Sequence, residues 1–358
     1  MRFHWFLPTT GDGSGVRAAI MDTDRGLSSD RPASVRYLSQ VARAAEDAGF
    51  EAVLTPVGAG CPDPWIVCSA VAQHTERVKM LVAFRPGFAL PTLLAQQAQA
   101  FQEVSGGRLA LNVVTGGDPV EQRSYGDFLD HDARYARTDE FLDVLKRSFT
   151  GVPFDHAGEH YRIEGGGLRE PLEQVPELYF GGSSPAAERV AARHVDTALT
   201  WGEPPSAVAG KVARLKEGAA ALGRTLRVGL RVHVIARDTS AEAWAAADRL
   251  LAGMDPARIE AAQRRFARYD SVAQRAMTEL HGGDTRDLEI SPGLWAGVGL
   301  VREGSGTALV GSYEEVAGLL REYAELGIEE FILSGWPHLE EAYRVGENIV
   351  PRLAPAAV

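Results

Sequence analysis

Eight short runs rich in Val, Leu and Phe recur along the chain, at 2–8, 51–56, 78–84, 108–116, 177–182, 196–202, 226–236 and 329–335. Most are apolar at consecutive positions rather than at alternate ones. They therefore read as strands covered on both faces, as in a parallel sheet. Between them the apolar residues return at helical spacing. "ASVRYLSQVARAAEDAG" ends at Gly49, and "PTLLAQQAQAFQEVSGG" runs from Pro91 to Gly106. "PSAVAGKVARLKEGAAALG" and "SYEEVAGLLREYAELG" also finish on glycine. Proline suits a first helical turn, where its missing N–H costs nothing, and glycine suits the left-handed residue that closes a helix. Strands alternating with helices predict an α/β fold, and eight such units predict a closed (β/α)8 TIM barrel. A doubly wound open sheet is the competing architecture.

One interval breaks the rhythm. Residues 253–311, between the seventh and eighth runs, hold a charged helical part, "ARIEAAQRRFARYDSVAQRAMTEL", and then a glycine-rich part, "HGGDTRDLEISPGLWAGVGLVREGSGTALVG". This is too long for a simple connection, and such insertions carry function or motion. On a barrel it leaves from the C-terminal end of a strand, which is the catalytic face. The expectation is one domain over 1–358 whose insertion at 253–311 carries a mobile lid loop.

Composition narrows the function. The 358 residues suit one large domain or two medium ones. A net charge of −11 argues against nucleic acid as a partner, because a phosphate backbone needs a basic face. An anionic ligand must then be met locally by a few placed arginines. Two cysteines, Cys61 and Cys68, are too few for a disulfide framework. The opening "MRFHWFLPTTGDGSG" lacks the apolar core of a signal peptide, and no run has the roughly 18 apolar residues of a membrane span. These features predict a soluble, cytoplasmic, reduced protein that engages no membrane. The histidines have no metal-ligand spacing, and no G-x-G-x-x-G follows the first strand, so neither a metal nor a Rossmann dinucleotide site is expected.

If the barrel forms, strand ends hold the chemistry. "GGSS", with Ser183 and Ser184, lies between a strand and a helix. Glycines there allow close approach and the helix N-terminus offers free N–H groups, which suits a phosphate; a plain capped turn is the plainer reading. In "LRVHVIARDT" Arg231 and His233 stand two apart, so both side chains leave one face of a strand. A buried arginine needs an anion, from a neighbouring acid or from a ligand. Arg302 in the insertion is placed to swing in with the lid, or is a solvated loop charge. Cys61 sits in a Gly/Pro loop with no base beside it in sequence; Cys68, on the next helix, reads as core.

These stretches resemble the bacterial-luciferase-like flavin monooxygenases, and within them the two-component alkanesulfonate monooxygenases. The resemblance rests on "FHWFLPTTGDG", "CPDPWIV", "LVAFRPG", "NVVTGGDP", "FLDHDARYARTDEF", "LYFGGSS", "LTWGEPP", "LRVHVIARDT", "LEISPGLWAGVGLVREGSGTALVG" and "SGWPHLEEAYRVGE", which span nearly the whole chain. It implies reduced FMN supplied by a separate NAD(P)H-dependent flavin reductase, O2 as co-substrate, and cleavage of a sulfonate to sulfite and an aldehyde. It also implies a homodimer or homotetramer. Carried over, Ser183 and Ser184 hold the FMN phosphate, and Asn112, Thr115, His131 and Tyr135 line the flavin. Arg231, His233 and Trp201 line the substrate pocket, Arg302 comes from the mobile loop, and Cys61 lies near the active site. Arg231 and Arg302 would pair with the sulfonate, and His233 would add a donor or manage a proton.

Two positions depart from the family pattern. Trp336 stands where "SGYPHLEEAYR" has tyrosine, and Thr10 stands where "FLPTHGDG" has histidine. Both are expected at the pocket. They point to a bulkier or more polar sulfonate, such as a sugar sulfonate, or to drift with the same substrate. Two other readings share the resemblance: oxidation of a non-sulfonate small molecule, and flavin binding without turnover.

Overall fold

The computed structural model describes residues 1–14 and 30–353. Eight parallel strands form the barrel: β1 (Arg2–Phe6), β2 (Ala52–Thr55), β3 (Lys79–Phe84), β4 (Leu109–Val113), β5 (Glu177–Gly181), β6 (Thr197–Trp201), β7 (Arg227–Arg237) and β8 (Glu330–Ser334). Seven of the eight apolar runs contain a whole strand, and the run at 226–236 ends one residue short of the end of β7. β8 pairs with both β7 and β1, with Ile332 opposite Arg231 on one side and His4 on the other. β6 pairs with β7, Trp201 facing Arg231 across the ladder. The sheet therefore closes, which excludes the open doubly wound alternative.

Helices cover the outside: α1 (Val35–Asp47), α2 (Pro64–Ala72), α3 (Pro91–Ser105), α4 (His131–Phe149), α5 (Pro185–His194), α6 (Pro205–Ala220), α7 (Tyr313–Glu325) and α8 (His338–Asn348). Their ends follow the local chemistry read from sequence. Pro91 opens α3, and Gly106 closes it at φ 67°, a left-handed conformation in which a Cβ would be strained.

The barrel interior is layered. Phe6, Leu54, Leu81, Tyr179, Leu199 and Ile332 pack at mid-height. Beneath them, at the N-terminal end, the fully buried Glu330 accepts hydrogen bonds from Tyr179 (2.8 Å), Thr197 (3.0 Å), Arg227 (2.7 Å) and Arg2 (3.1 Å), and pairs with His4 at 2.9 Å. Above them, polar side chains line the C-terminal mouth.

β7 has 11 residues and outruns its neighbours. Its first half belongs to the barrel. Its second half, His233–Arg237, pairs in parallel with a strand at Ala308–Ser312 from the insertion. That strand binds Leu294–Trp295, which binds Glu289–Ser291, so a small sheet grows from the barrel rim. The charged part of the insertion is two helices, Pro256–Phe266 and Val272–Glu279, rather than one. Ser271 breaks it by capping the second, its side chain accepting from the Gln274 N–H. A β-hairpin at Phe154–Ala157 and Arg162–Gly166 was not anticipated; short strands with no repeated spacing leave little signal. Among the described residues, no helix is long and apolar enough to cross a membrane.

Candidate active site

A cavity of about 260 Å3 opens at the C-terminal mouth of the barrel. β4 contributes Asn112 and the turn after it Thr115; α4 contributes His131 and Tyr135. The turn after β5 contributes Ser183 and Ser184, β6 contributes Trp201, and β7 contributes Arg231. These eight expected residues thus come together from four strands and a helix. The insertion roofs them with Tyr269, Ser271, Gln274, Glu303 and Gly304. His233, Arg302, Trp336 and Cys61 are not in this wall.

Arg231 leaves β7 toward the interior, with its guanidinium carbon 4.9 Å from the centre of the Phe6 ring. It donates to the Val232 carbonyl (2.9 Å), more weakly to the Ile332 carbonyl (3.4 Å), and to Ser334 Oγ (2.9 Å). All are neutral acceptors. Among the described residues no carboxylate forms an ion pair with Arg231. Burial, and then the charge of Arg302, push its pKa well down. Arg302 lies over the same Phe6 ring at 5.3 Å and is itself buried, which lowers its pKa to about 10. Two guanidinium groups thus sit in one low-dielectric spot, each destabilised by burial, an arrangement that a bound oxyanion relieves.

His233 points the same way from β7 but has no free nitrogen. Nε2 lies 3.0 Å from the Ser305 carbonyl, and Nδ1 lies 2.6 Å from Ser334 Oγ. A carbonyl can only accept, so Nε2 carries the proton and Nδ1 accepts from the Ser334 hydroxyl. Burial, then Arg231 and Arg302, hold its pKa well below the ordinary imidazole value, so it is neutral. The expectation that His233 donates to substrate or manages a proton is therefore not met in this conformation. It instead completes a chain from Arg231 through Ser334 to itself, and then pins the insertion at Ser305.

Trp336 follows β8 and stacks on His233, with centroids 4.5 Å apart and planes 27° apart. It backs the pocket rather than facing it. Thr10 lies in the turn after β1, half-buried, also outside the cavity wall. Two residues beyond Trp336 stands His338, whose Nδ1 is 2.9 Å from Asp12. Asp12 also accepts from Tyr37 (2.5 Å), the Gly13 N–H (2.8 Å) and the His338 N–H (2.8 Å). Burial raises the Asp12 pKa, but these donors outweigh it and keep the carboxyl ionised. Sequence reading missed this pair because its members lie 326 positions apart.

At the other end of the cavity, the backbone turns sharply into α5. A Cβ on Gly182 would lie 2.6 Å from Ala187 Cβ, so only glycine fits. Ser184 caps α5 by accepting from the Ala187 N–H at 3.2 Å. The plainer reading of "GGSS" as a capped turn is thus met, and the turn lines the cavity with Gly182, Ser183 and Ser184. Asn112 Oδ1 is buried at the wall without a hydrogen-bond partner.

Cys61 lies in a neighbouring hollow. Burial pushes its thiol up to about 11, against a weaker opposing hydrogen bond to Thr9. It stays protonated at neutral pH, which is unsuited to a nucleophile. Arg85, at the end of the β3 region, lines both hollows and pairs with Glu121 at 2.5 Å. Nothing in "AFRPG" had singled it out. Among the described residues no group of three His, Cys, Asp or Glu side chains gathers as a metal site.

The fold is shared with known enzymes. A long-chain alkane monooxygenase superposes with a TM-score of 0.80 at 19% identity, covering 99% of this chain and 91% of that one. A riboflavin lyase crystallised with a modified FMN and riboflavin gives 0.79 at 22% identity, covering 99% and 91%. An EDTA monooxygenase from Chelativorans sp. BNC1 gives 0.78 at 21% identity, covering 99% and 93%. The profile of the luciferase-like monooxygenases matches residues 1–330. With a closed barrel, a polar mouth and a docked insertion in place, the chain belongs to the luciferase-like monooxygenase family.

Proposed function

We propose that this protein is an FMNH2- and O2-dependent monooxygenase that cleaves the C–S bond of an organosulfonate, releasing sulfite and an aldehyde. One observation carries the sulfonate: Arg231 is buried with only neutral partners, beside a second buried arginine on the insertion. A neutral substrate would leave Arg231 without a counter-charge, whereas a sulfonate offers three oxygens to a guanidinium fork.

The residues present suit FMN. The phosphate would meet the N-terminus of α5 with Ser183 and Ser184, at a glycine turn that no Cβ could enter. The unpartnered Asn112 Oδ1 would accept from a ring N–H, and His131, Tyr135 and Thr115 would flank the ring system. A modified FMN in the related riboflavin lyase supports this reading. When bound and reduced, FMN supplies the electrons that let one atom of O2 enter the substrate. We assign the reduction itself to a separate NAD(P)H-dependent flavin reductase.

The chain's own contribution is to bind and to shield. Arg231 is aimed by the Ser334–His233 chain, so its fork is oriented before substrate arrives. Arg302 brings a second positive charge when the insertion docks, and the roof from Tyr269 to Gln274 keeps water off the reacting centre. Trp201 bounds the pocket, and Trp336 backs His233 from behind the wall.

The test is sulfite release from methane-, octane-, sugar, 4-phenylbutane- and 4-(4-acetylphenyl)butane-sulfonates with a generic flavin reductase present. Sulfite from one or more supports the proposal, and its absence from all would overturn it. Arg231→Ala should weaken sulfonate binding by about 2–5 kcal/mol while leaving FMN affinity unchanged. Equal loss of both would make Arg231 a structural residue.

A further inference from the structure

The hollow that holds Cys61 has about 750 Å3 and adjoins the candidate active site, the two sharing Val57 and Arg85 in their walls. Its walls differ from those of the first chamber. Trp65, Phe84, Phe88 and Tyr125 line it, with Phe88 and Tyr125 in ring contact at 4.8 Å. Arg85 stands at the junction. Its guanidinium carbon lies 5.6 Å from the Phe88 ring centre and 5.8 Å from that of Tyr125. Its side chain is more than nine-tenths buried, and one nitrogen, Nη2, meets Glu121. The other two, Nε and Nη1, are buried without any hydrogen-bond partner.

Two orphaned donors on a permanently charged group are costly, and packing alone does not explain them. Substrate is the partner this hollow can supply, since it would enter between these walls. Charge decides what kind. Arg85 is already paired with Glu121, and Arg137, in the same chamber, is paired with Asp127 at 2.5 Å. Asp63 also lines it. A second anion would meet no net positive charge here, so a neutral acceptor suits the vacancy in hydrogen bonding better.

Resting on the sulfonate reading, we propose that this chamber is a distal substrate subsite. It takes a flat or bulky apolar group that bears a neutral hydrogen-bond acceptor, such as a carbonyl or ether oxygen, and Arg85 is the residue that recognises it. The substrate is then an aryl- or acyl-bearing sulfonate rather than a simple linear alkanesulfonate or a sugar. Arg231 and Arg302 hold the sulfonate end, the aromatic walls hold the body, and Arg85 selects the acceptor.

The experiment is titration calorimetry on the flavin-free protein. It compares 4-(4-acetylphenyl)butane-1-sulfonate with 4-phenylbutane-1-sulfonate, and the same two tails carried on an alcohol instead of a sulfonate. The acetyl compound should bind about tenfold tighter than its phenyl partner within each pair. In the double variant Arg85→Met with Glu121→Gln, which leaves no stranded charge, that ratio should fall to near one. Tyr125→Ala, at a half-exposed position that folding tolerates, should weaken both aryl compounds together and preserve the ratio. Absence of an acetyl preference, or its survival in the double variant, overturns the subsite. An Arg85-dependent preference in the alcohol pair, with no sulfite from any sulfonate, would keep the subsite and overturn the sulfonate reading instead.

Discussion

Arg231 and His233 leave β7 toward the same interior, yet the two side chains end in opposite situations. Arg231 has its donors on neutral oxygens and keeps an unmet charge; His233 has both nitrogens committed. The strand period made their shared face legible, but the division of labour depends on Ser334 and Ser305, from distant segments. Cys61 shows the reverse case. Its place near the site follows from sequence, whereas its inertness follows from burial. Because its thiol titrates near pH 11, alkylation by iodoacetamide should be slow at pH 7.5 and accelerate steeply only above pH 9. A reactive thiol at neutral pH would return it to the list of nucleophiles.

At the scale of elements, the length of β7 decides where the lid can attach. Its outer half holds the strand Ala308–Ser312, and this fixes one end of the segment that carries Arg302. Just after Arg302 the segment is also latched by side chains: Tyr269 donates to Glu303, and Gln274 Oε1 accepts from the Gly304 N–H at 2.8 Å. Ahead of these attachments Val298, Leu300 and Arg302 are buried, whereas 284–287 are exposed. Proteolysis of the ligand-free protein should therefore cut first within 280–310, at the exposed turn. Tyr269→Phe removes a hydrogen bond to a charged group, worth about 1.5–3 kcal/mol, and should extend cutting into 297–307. An insertion fully protected without ligand, in both proteins, would mean that the lid does not open.

Across the whole molecule, the two ends of the barrel carry charge in opposite ways. The N-terminal end is fully compensated: Glu330 sits among Arg2, Arg227, His4 and Tyr179. Burial alone would raise its pKa, but His4, Tyr179 and Arg2 outweigh this and hold it well below the ordinary range. A depressed folded pKa stabilises the fold above the unfolded value, about 4.3 for glutamate, and that stability is lost as pH falls through the folded value. Glu330→Gln should therefore cost about 3–5 kcal/mol at pH 7, measured by urea unfolding. The deficit should narrow as pH is lowered below about 4. A deficit independent of pH would show that the carboxylate is not the source. The C-terminal end is left uncompensated at Arg231, and this asymmetry separates the stabilising end of the barrel from the reactive one.

Local sequence made legible the alternation of strands and helices, the helix ends at Pro and Gly, and the candidate residues at strand ends. All of these are local: they depend on period, on backbone freedom and on which end of a strand a residue occupies. Packing between distant segments, by contrast, closed the sheet, spent His233 on Ser334 and Ser305, and stacked Trp336 behind it. It alone also decided that Asp12 meets His338, and that Arg85 keeps two donors unmet. Those outcomes depend on burial and on contacts between segments far apart in the chain, and no local period encodes either.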